Sequence, residues 1–506
     1  MIDTSTVRTD WLERQALYRG GHPAVVWDPT GEALTYADLD RRGAALAGAL
    51  AERFGVERGD RVGVLAENSL EHVLLFAACQ KAGFVLVPLN YRLAAPEVAY
   101  LVADADPAVV FASDACRPLL AGTDAPTAAL SGVRALSEVA SGARLGRPTL
   151  DDPLLLLYTS GTTGRPKGAV YTHGMLVWNA VSTGLRLGLT DADVSFNAAP
   201  FYHTGGWNVL LTPFLLYGGT TVLLDRFDPD RLLRLCDERR MTVLWGVPTM
   251  LKMMAESPAF AAARLESVRY AVVGGEPMPA PLTRTWQAKG VPIRQGFGMT
   301  EVGPNCFSLP EADAVRKMGS IGFPNLFVDV RVVDGDGRDV GTGETGELVF
   351  RGPVVTPGYW RNAGATDAAF TEDGWFRSGD LVRQDAEGYT YVVGRLKEMY
   401  ISGGENVYPA EVEAALREHA AVADAAVVGV PDERWGEAGC AFVVPASGAA
   451  SGAADAGALL DHCRGRLARY KVPREVRFLD ALPVGHSGKV QKTELQALVA
   501  ARPPAP

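Results

Sequence analysis

The chain has 506 residues, which at about 150 residues per domain corresponds to roughly three domains, or two if one is large. Hydrophobic residues make up 47% and charged residues 21%, and 55 Gly and 32 Pro are scattered among periodic apolar segments, which excludes disorder, collagen-like repeats and a coiled coil. The 49 basic against 59 acidic residues leave a net charge of −10, removing the attraction that nucleic acid or an anionic membrane surface would need. The start, Met1 to Asp10, has no apolar signal segment, and no run approaches the roughly 18 apolar residues of a membrane helix, so a cytoplasmic protein with no integral membrane association is expected. Six cysteines (Cys79, Cys116, Cys236, Cys306, Cys440, Cys463) lie far apart without a C-x-x-C pair, and read as reduced structural thiols.

In chain order, helical stretches at 37–54 and 70–82 alternate with short apolar runs at 61–65 and 84–89, which predicts strand–helix units around a sheet covered on both faces. The pattern recurs at 220–224, 242–246 and 269–273. From about Arg331 the texture changes to short alternating segments, 347–351 and 389–393, punctuated by Asp334-Gly335-Asp336-Gly337 and similar turns, which predicts a small antiparallel β region. Beyond Lys397 the alternation resumes, with helices at 409–419 and 458–468 and strands at 425–430 and 441–444, around an Ala/Gly/Ser loop at 446–457. The expected fold class is α/β: a large multi-layered α/β N-terminal domain over 1–396 that includes the small β region, then a small α+β C-terminal domain over 397–506.

The most informative segment is an apolar strand, 154–158, that runs into Thr159-Ser160-Gly161-Thr162-Thr163-Gly164-Arg165-Pro166-Lys167-Gly168. Glycines permit close backbone approach, N–H groups and hydroxyls can bind phosphate oxygens, and Lys167 supplies charge, so a polyphosphate suits this loop. Arg165 and Pro166 separate Gly164 from Lys167, which disfavours an ordinary P-loop NTPase. On these residues alone a plain surface loop stays open as the alternative.

The segment resembles the signature loop of the adenylate-forming superfamily, which includes acyl-CoA synthetases, aryl-CoA ligases, luciferases and peptide-synthetase adenylation domains. Further segments match in the family's order: Pro200-Phe201-Tyr202-His203, Gly274-Gly275-Glu276, Gln295-Gly296-Phe297-Gly298-Met299-Thr300-Glu301, Ser378-Gly379-Asp380, Gly394-Arg395-Leu396-Lys397-Glu398, Ser402-Gly403-Gly404-Glu405 and Gly488-Lys489. The resemblance covers nearly the whole chain and points to its acid:CoA ligase branch.

It implies a site for ATP, Mg²⁺ and CoA. Thr159 to Lys167 would hold the β- and γ-phosphates, and Glu301, with Thr300 beside it in the chain, would hold Mg²⁺ together with Thr159. Gly274, Gly275 and Glu276 would let adenine lie against the chain, with Gln295, Gly296, Phe297 and Gly298 completing the nucleotide set. Asp380 and Arg395 resemble the ribose contacts, and Lys489 matches the lysine that bridges carboxylate and α-phosphate. His203 would gate the carboxylate. The acyl pocket would draw on Trp207, Trp245, Val247, Thr249, Gly274, Phe297 and Met299. In the family the small domain rotates between half-reactions; Lys397 matches the hinge, and Ser402, Gly403 and Gly404 flank the expected pantetheine tunnel. One departure is Leu482-Pro483-Val484-Gly485-His486-Ser487, which replaces the Arg- or Thr-rich approach to the lysine in many relatives.

The first choice of activity is thus acyl-adenylate formation with release of pyrophosphate, then thioester formation with CoA and release of AMP. A stand-alone ligase serving a carrier-protein thiol or an amine is the alternative, and luciferase-like oxygenation shares the fold. A non-catalytic nucleotide-binding scaffold ranks below both because Glu301 and Lys489 are present. A hydrolase is disfavoured because no G-x-S-x-G elbow occurs. The identity of the acid and the oligomeric state, a homodimer included, are not specified by the sequence.

Overall fold

A computed structural model describes residues 9–501 except 140, 144, 160–165, 277, 403–404, 433–434, 447–454 and 486–489. The chain divides into two compact units: Met1–Val330 with Phe350–Phe376, and Arg331–Val349 with Arg377–Pro506. The expected fold class holds: a large α/β domain with mainly parallel sheets and a small α+β domain built on antiparallel pairs.

The first unit contains three sheets. The largest has six strands, running Thr127–Ala129, Val109–Ala112, Arg61–Leu65, Val85–Leu89, Pro153–Thr159 and Lys167–Thr172 across the sheet. All its pairings are parallel except the last, an antiparallel hairpin in which Tyr158 faces Gly168 and Thr159 faces Lys167. The helix Leu70–Ala82 is almost wholly buried beside it, which is why that stretch is apolar on every face rather than striped. Tyr36–Phe54 closes the layer with a capping box at Thr35 and a left-handed Gly55 at its C-terminus.

In a second sheet the strands Val194–Asn197 and Thr220–Leu223 run parallel. The third places Val243–Gly246, Tyr270–Val273 and Ile293–Met299 side by side in parallel, so their C-terminal ends open on one edge. Such an edge is where open α/β sheets bind ligands. Ile293–Met299 then turns back antiparallel through the 3-10 turn Thr300–Val302 into Gly303–Ser308.

The second unit holds a four-stranded sheet (Asp329–Val333, Thr345–Arg351, Phe376–Gln384, Thr390–Arg395) and a further sheet built on the long antiparallel pair Val422–Asp432 and Gly436–Pro445. The helix expected at 409–419 ends at Arg417, and the strand expected at 425–430 extends over Val422–Asp432 because its pairing continues to Asp432–Gly436. The helix expected at 458–468 runs over Ala456–Arg464, stopped by Gly465. Among the described residues no helix is long and apolar enough to cross a membrane, and all six cysteines are buried and unpaired.

Candidate active site

In the first unit Thr159 and Lys167, the described members of the phosphate-loop candidates, form the last rung of the Pro153–Thr159/Lys167–Thr172 hairpin. Ser160, Gly161, Thr162, Thr163 and Gly164 lie outside the described residues. The flanks are tightly held. The Tyr158 hydroxyl donates to Asp104 at 2.6 Å, and its ring packs closely on Gly168, whose added Cβ would lie 3.3 Å from the ring. Burial, reinforced by Asp104, keeps the Tyr158 phenol protonated far above its ordinary range.

Glu301 sits in the turn after Ile293–Met299 and is only 6% exposed. Its Oε1 accepts from the Thr159 hydroxyl at 3.4 Å and from the Tyr359 hydroxyl at 3.0 Å, while its backbone carbonyl accepts from the Thr356 N–H at 2.7 Å. Burial, with the Glu301 charge adding to it, pushes the Tyr359 phenol well up, so it remains a donor. The Lys167 ammonium lies 5.3 Å from the Tyr359 ring centroid, within cation–π range. No donor from a described residue is recorded on Oε2. One buried carboxylate with an uncommitted oxygen and a neighbouring hydroxyl form a hard oxygen set suited to Mg²⁺ shared with phosphate oxygens. A protein-only cage is not required, and among the described residues no cluster of three or more metal-ligating side chains exists.

The turn carrying Glu301 depends on small residues. A Cβ on Gly298 would lie 2.3 Å from the Gly303 oxygen and 2.3 Å from the Pro304 carbonyl carbon, whereas one on Gly296 would meet nothing closer than 3.5 Å. Thr300 begins the turn. Gln295 has a role that its place among the nucleotide candidates did not convey. It is buried, its Nε2 donates to the carbonyls of Val273, Glu276 and Gly296, and its Oε1 accepts from the Met278 N–H at 3.1 Å. The side chain is therefore spent on holding the Gly274-Gly275-Glu276 loop. That loop follows Tyr270–Val273, is partly to fully exposed, and has Gly275 at φ +87°.

The acyl-pocket candidates separate. Trp207 is fully buried, its ring centroid 4.2 Å from Phe201 and 5.2 Å from Phe76, and its Nε1 donates to the Phe201 carbonyl. It is a core residue and not a pocket wall, because the short helix Thr204–Asn208 turns it inward. His203 precedes that helix, half-buried, with its ring 4.5 Å from Tyr202. Trp245 lies 6% exposed beside Gly205, where a Cβ would come within 3.1 Å of its Cη2. Val247 packs toward Gly275, Phe297 stacks near Phe350 with centroids 6.4 Å apart, Met299 is half-buried, and Thr249 is exposed. Sequence reasoning missed Asn68 and Asn197, whose amides pin the 199–206 turn through Ala199, Phe201 and Gly206, and it missed Tyr359. The Gly358-Tyr359-Trp360 aromatic pair was the available signal.

In the second unit Asp380 and Arg395 face one another across adjacent antiparallel strands, with Arg395 Nε 2.9 Å from Asp380 Oδ1. The Asp380 side chain is 5% exposed and that of Arg395 41%. The Asp380 N–H donates to Ser378 Oγ, and the N–H of Gly379, at φ +69°, donates to Glu347. Lys397 is exposed in the turn that follows, and Ser402 is buried. Gly403, Gly404 and Lys489 lie outside the described residues.

Residues 12–360 match the model of the AMP-binding enzyme family, and residues 411–489 match that of its C-terminal domain. The chain belongs to the AMP-binding enzyme family. This AMP-binding enzyme is 44% identical over 470 residues to a feruloyl-CoA synthase of Amycolatopsis, covering 92% of this chain and 94% of that one. It is 42% identical over 506 residues to an indoleacetate–CoA ligase of Aromatoleum aromaticum, covering 97% and 98%. Among solved structures it is similar to ATP-bound MatB from Rhodopseudomonas palustris, with TM-score 0.89 and 34% identity over 97% of this chain and 99% of that one. It is also similar to the o-succinylbenzoate CoA synthetase MenE of Bacillus subtilis in complex with ATP and magnesium, with TM-score 0.86 and 32% identity over 96% and 99%. Residues 361–410 of this AMP-binding enzyme fall between the two matched stretches and carry Asp380, Arg395, Lys397 and Ser402.

Proposed function

We propose that this AMP-binding enzyme is an AMP-forming acid:CoA ligase whose acid carries an aromatic group. The observation that carries the ligase reading is the carboxylate of Glu301 accepting from both Thr159 and Tyr359, the latter also facing the Lys167 ammonium with its ring, which joins the base of a phosphate loop to a buried, single-carboxylate cation site. The aromatic class is supported by relatives named for ferulate and indoleacetate, and by the Trp245 ring set against the small residue Gly205.

In the first half-reaction a carboxylate oxygen bonds to the α-phosphorus of ATP and the bond to the pyrophosphate oxygen breaks. Lys167 and the loop at 159–167 neutralise the departing phosphates. Glu301 and Thr159 would hold Mg²⁺, which when bound offsets phosphate charge in the transition state. Asp380 accepts from the ribose hydroxyls, and Arg395 orients its carboxylate through the contact at Oδ1. Lys489 stabilises charge developing between carboxylate and α-phosphate. In the second half-reaction the CoA sulfur attacks the acyl carbon, the bond to the AMP oxygen breaks, and AMP leaves. The C-terminal domain, 397–506, turns about Lys397 between the two steps and brings the 402–406 segment to the thiol. ATP and CoA as co-substrates suit a cytoplasmic enzyme.

Pyrophosphate release measured against a panel of carboxylic acids, with and without CoA, tests the reading. Hydroxycinnamic and arylacetic acids should give the highest turnover, with CoA thioester and AMP formed in equal amounts. Pyrophosphate exchange without CoA turnover would favour a carrier-protein thiol or amine acceptor instead. Lys489→Ala should lose adenylation by several orders of magnitude yet still process a supplied acyl-adenylate; equal single-turnover adenylation by wild type and variant rejects the assignment.

A further inference from the structure

The segment 356–360 touches the site although it belongs to none of the sequence motifs. Its backbone runs along the outer edge of the Lys167–Thr172 strand: Val170 N–H donates to the Gly358 carbonyl at 3.1 Å and Trp360 N–H to the Gly168 carbonyl at 2.8 Å. Thr356 donates through Oγ1 to Val170 and through its N–H to Glu301, both at 2.7 Å. The segment thus ties the strand leaving the phosphate loop to the turn that carries Glu301. Tyr359 concentrates that tie in one side chain, with its hydroxyl 3.0 Å from Glu301 Oε1 and its ring face 5.3 Å from the Lys167 ammonium. Its own backbone is fixed, since its N–H donates to Thr366 Oγ1 at 2.9 Å and Gly358 packs so closely on Thr366 that an added Cβ would lie 2.5 Å away.

We propose that Tyr359 is a positioning residue that couples cation binding at Glu301 to phosphate binding at Lys167. The proposal rests on Glu301 as the Mg²⁺-holding carboxylate. A carboxylate free to rotate presents either oxygen to a cation. With Thr159 and Tyr359 both bonded to Oε1, the other oxygen is the one left to meet Mg²⁺, and the group need not reorganise on binding. The same ring holds the lysine ammonium by its face, so one side chain sets the separation between the two charges that must meet a single triphosphate.

The test uses the full chain and two substitutions, Tyr359→Phe and Glu301→Gln, with ATP affinity measured calorimetrically in Mg²⁺ and in EDTA. Tyr359→Phe keeps the ring and the backbone bonds and removes only the hydroxyl. A hydrogen bond to a charged group corresponds to about a tenfold effect or more. ATP binding in Mg²⁺ should therefore weaken about tenfold, and the Mg²⁺ concentration for half-maximal pyrophosphate exchange should rise by a similar factor. Binding in EDTA should not change, and in the Glu301→Gln background the second substitution should add nothing. Unaltered Mg²⁺ dependence in Tyr359→Phe, while Glu301→Gln shifts it, overturns the role of Tyr359 alone. No shift in Glu301→Gln overturns the reading of Glu301 as the cation carboxylate. Equal loss of binding in Mg²⁺ and EDTA, or additive effects in the double variant, assigns Tyr359 to the scaffold and overturns the coupling.

Discussion

Replacing Gly298 by alanine probes the turn that presents Glu301. The new methyl would lie 2.3 Å from the Gly303 oxygen and 2.4 Å from the Pro304 oxygen, both backbone atoms that cannot rotate away. Since real Cβ atoms keep at least 3.0 Å, the strand Ile293–Met299 and its return strand must part by at least about 0.7 Å there. Three residues later comes Glu301, and a displacement approaching 1 Å in a catalytic array costs about 100-fold in rate. Overpacking of this kind costs about 1–3 kcal/mol in stability. Gly298→Ala should therefore lower kcat/KM for acid-dependent pyrophosphate exchange by about 10- to 100-fold. Gly296→Ala, whose methyl would meet nothing closer than 3.5 Å, should stay within about threefold of wild type. Stopped-flow pyrophosphate release on both variants decides the matter. Retention of activity by Gly298→Ala, or equal losses in both, would refute the claim that backbone crowding at this turn holds the carboxylate.

Asp380→Asn removes the charge facing Arg395 and should raise KM for ATP about tenfold while kcat falls less, as read from initial rates with ATP varied. Lys492→Met strips the cation that lies 2.9 Å from both Glu398 and Glu413, the latter 8% exposed, and should destabilise the second unit by about 3 kcal/mol in urea titration. His72 and His173 are buried, and burial lowers each pKa to about 4 from 6.5. The native state then binds fewer protons than the unfolded chain, so stability is complete above pH 6.5 and is lost as pH falls toward 4. Between pH 7 and pH 5 each histidine should contribute a loss of about 2 kcal/mol, visible as a falling urea midpoint; a flat midpoint over that window would contradict it.

The fold class was readable because period-2 and period-3.6 patterns mark strands and helices locally, and the buried helix Leu70–Ala82 betrayed itself by lacking a polar face. Motif positions such as Glu301 and Thr159 were legible for another reason. They match the family's motifs residue by residue, which made their roles readable although 142 residues separate the two in the chain. What failed to show was long-range. Trp207 is bulky and aromatic like a pocket wall, and only the packing of Phe76 and Phe201 around it makes it core. Gln295 carries two hydrogen-bonding groups, and their use on the Gly274–Met278 loop follows from strand pairing that no spacing rule encodes. Tyr359 lies 58 residues from Glu301, so its hydroxyl was invisible until the edge of the Lys167–Thr172 strand was seen to be covered.

That covering reaches beyond catalysis. The Lys167–Thr172 strand ends its sheet, and it would show bare peptide groups to any passing chain were 356–360 not laid along it. A fragment cut ahead of Thr356 would keep every strand of that sheet and lose its selvedge, so we expect such truncations to precipitate or self-associate, whereas cuts just past Trp360 leave the border hemmed.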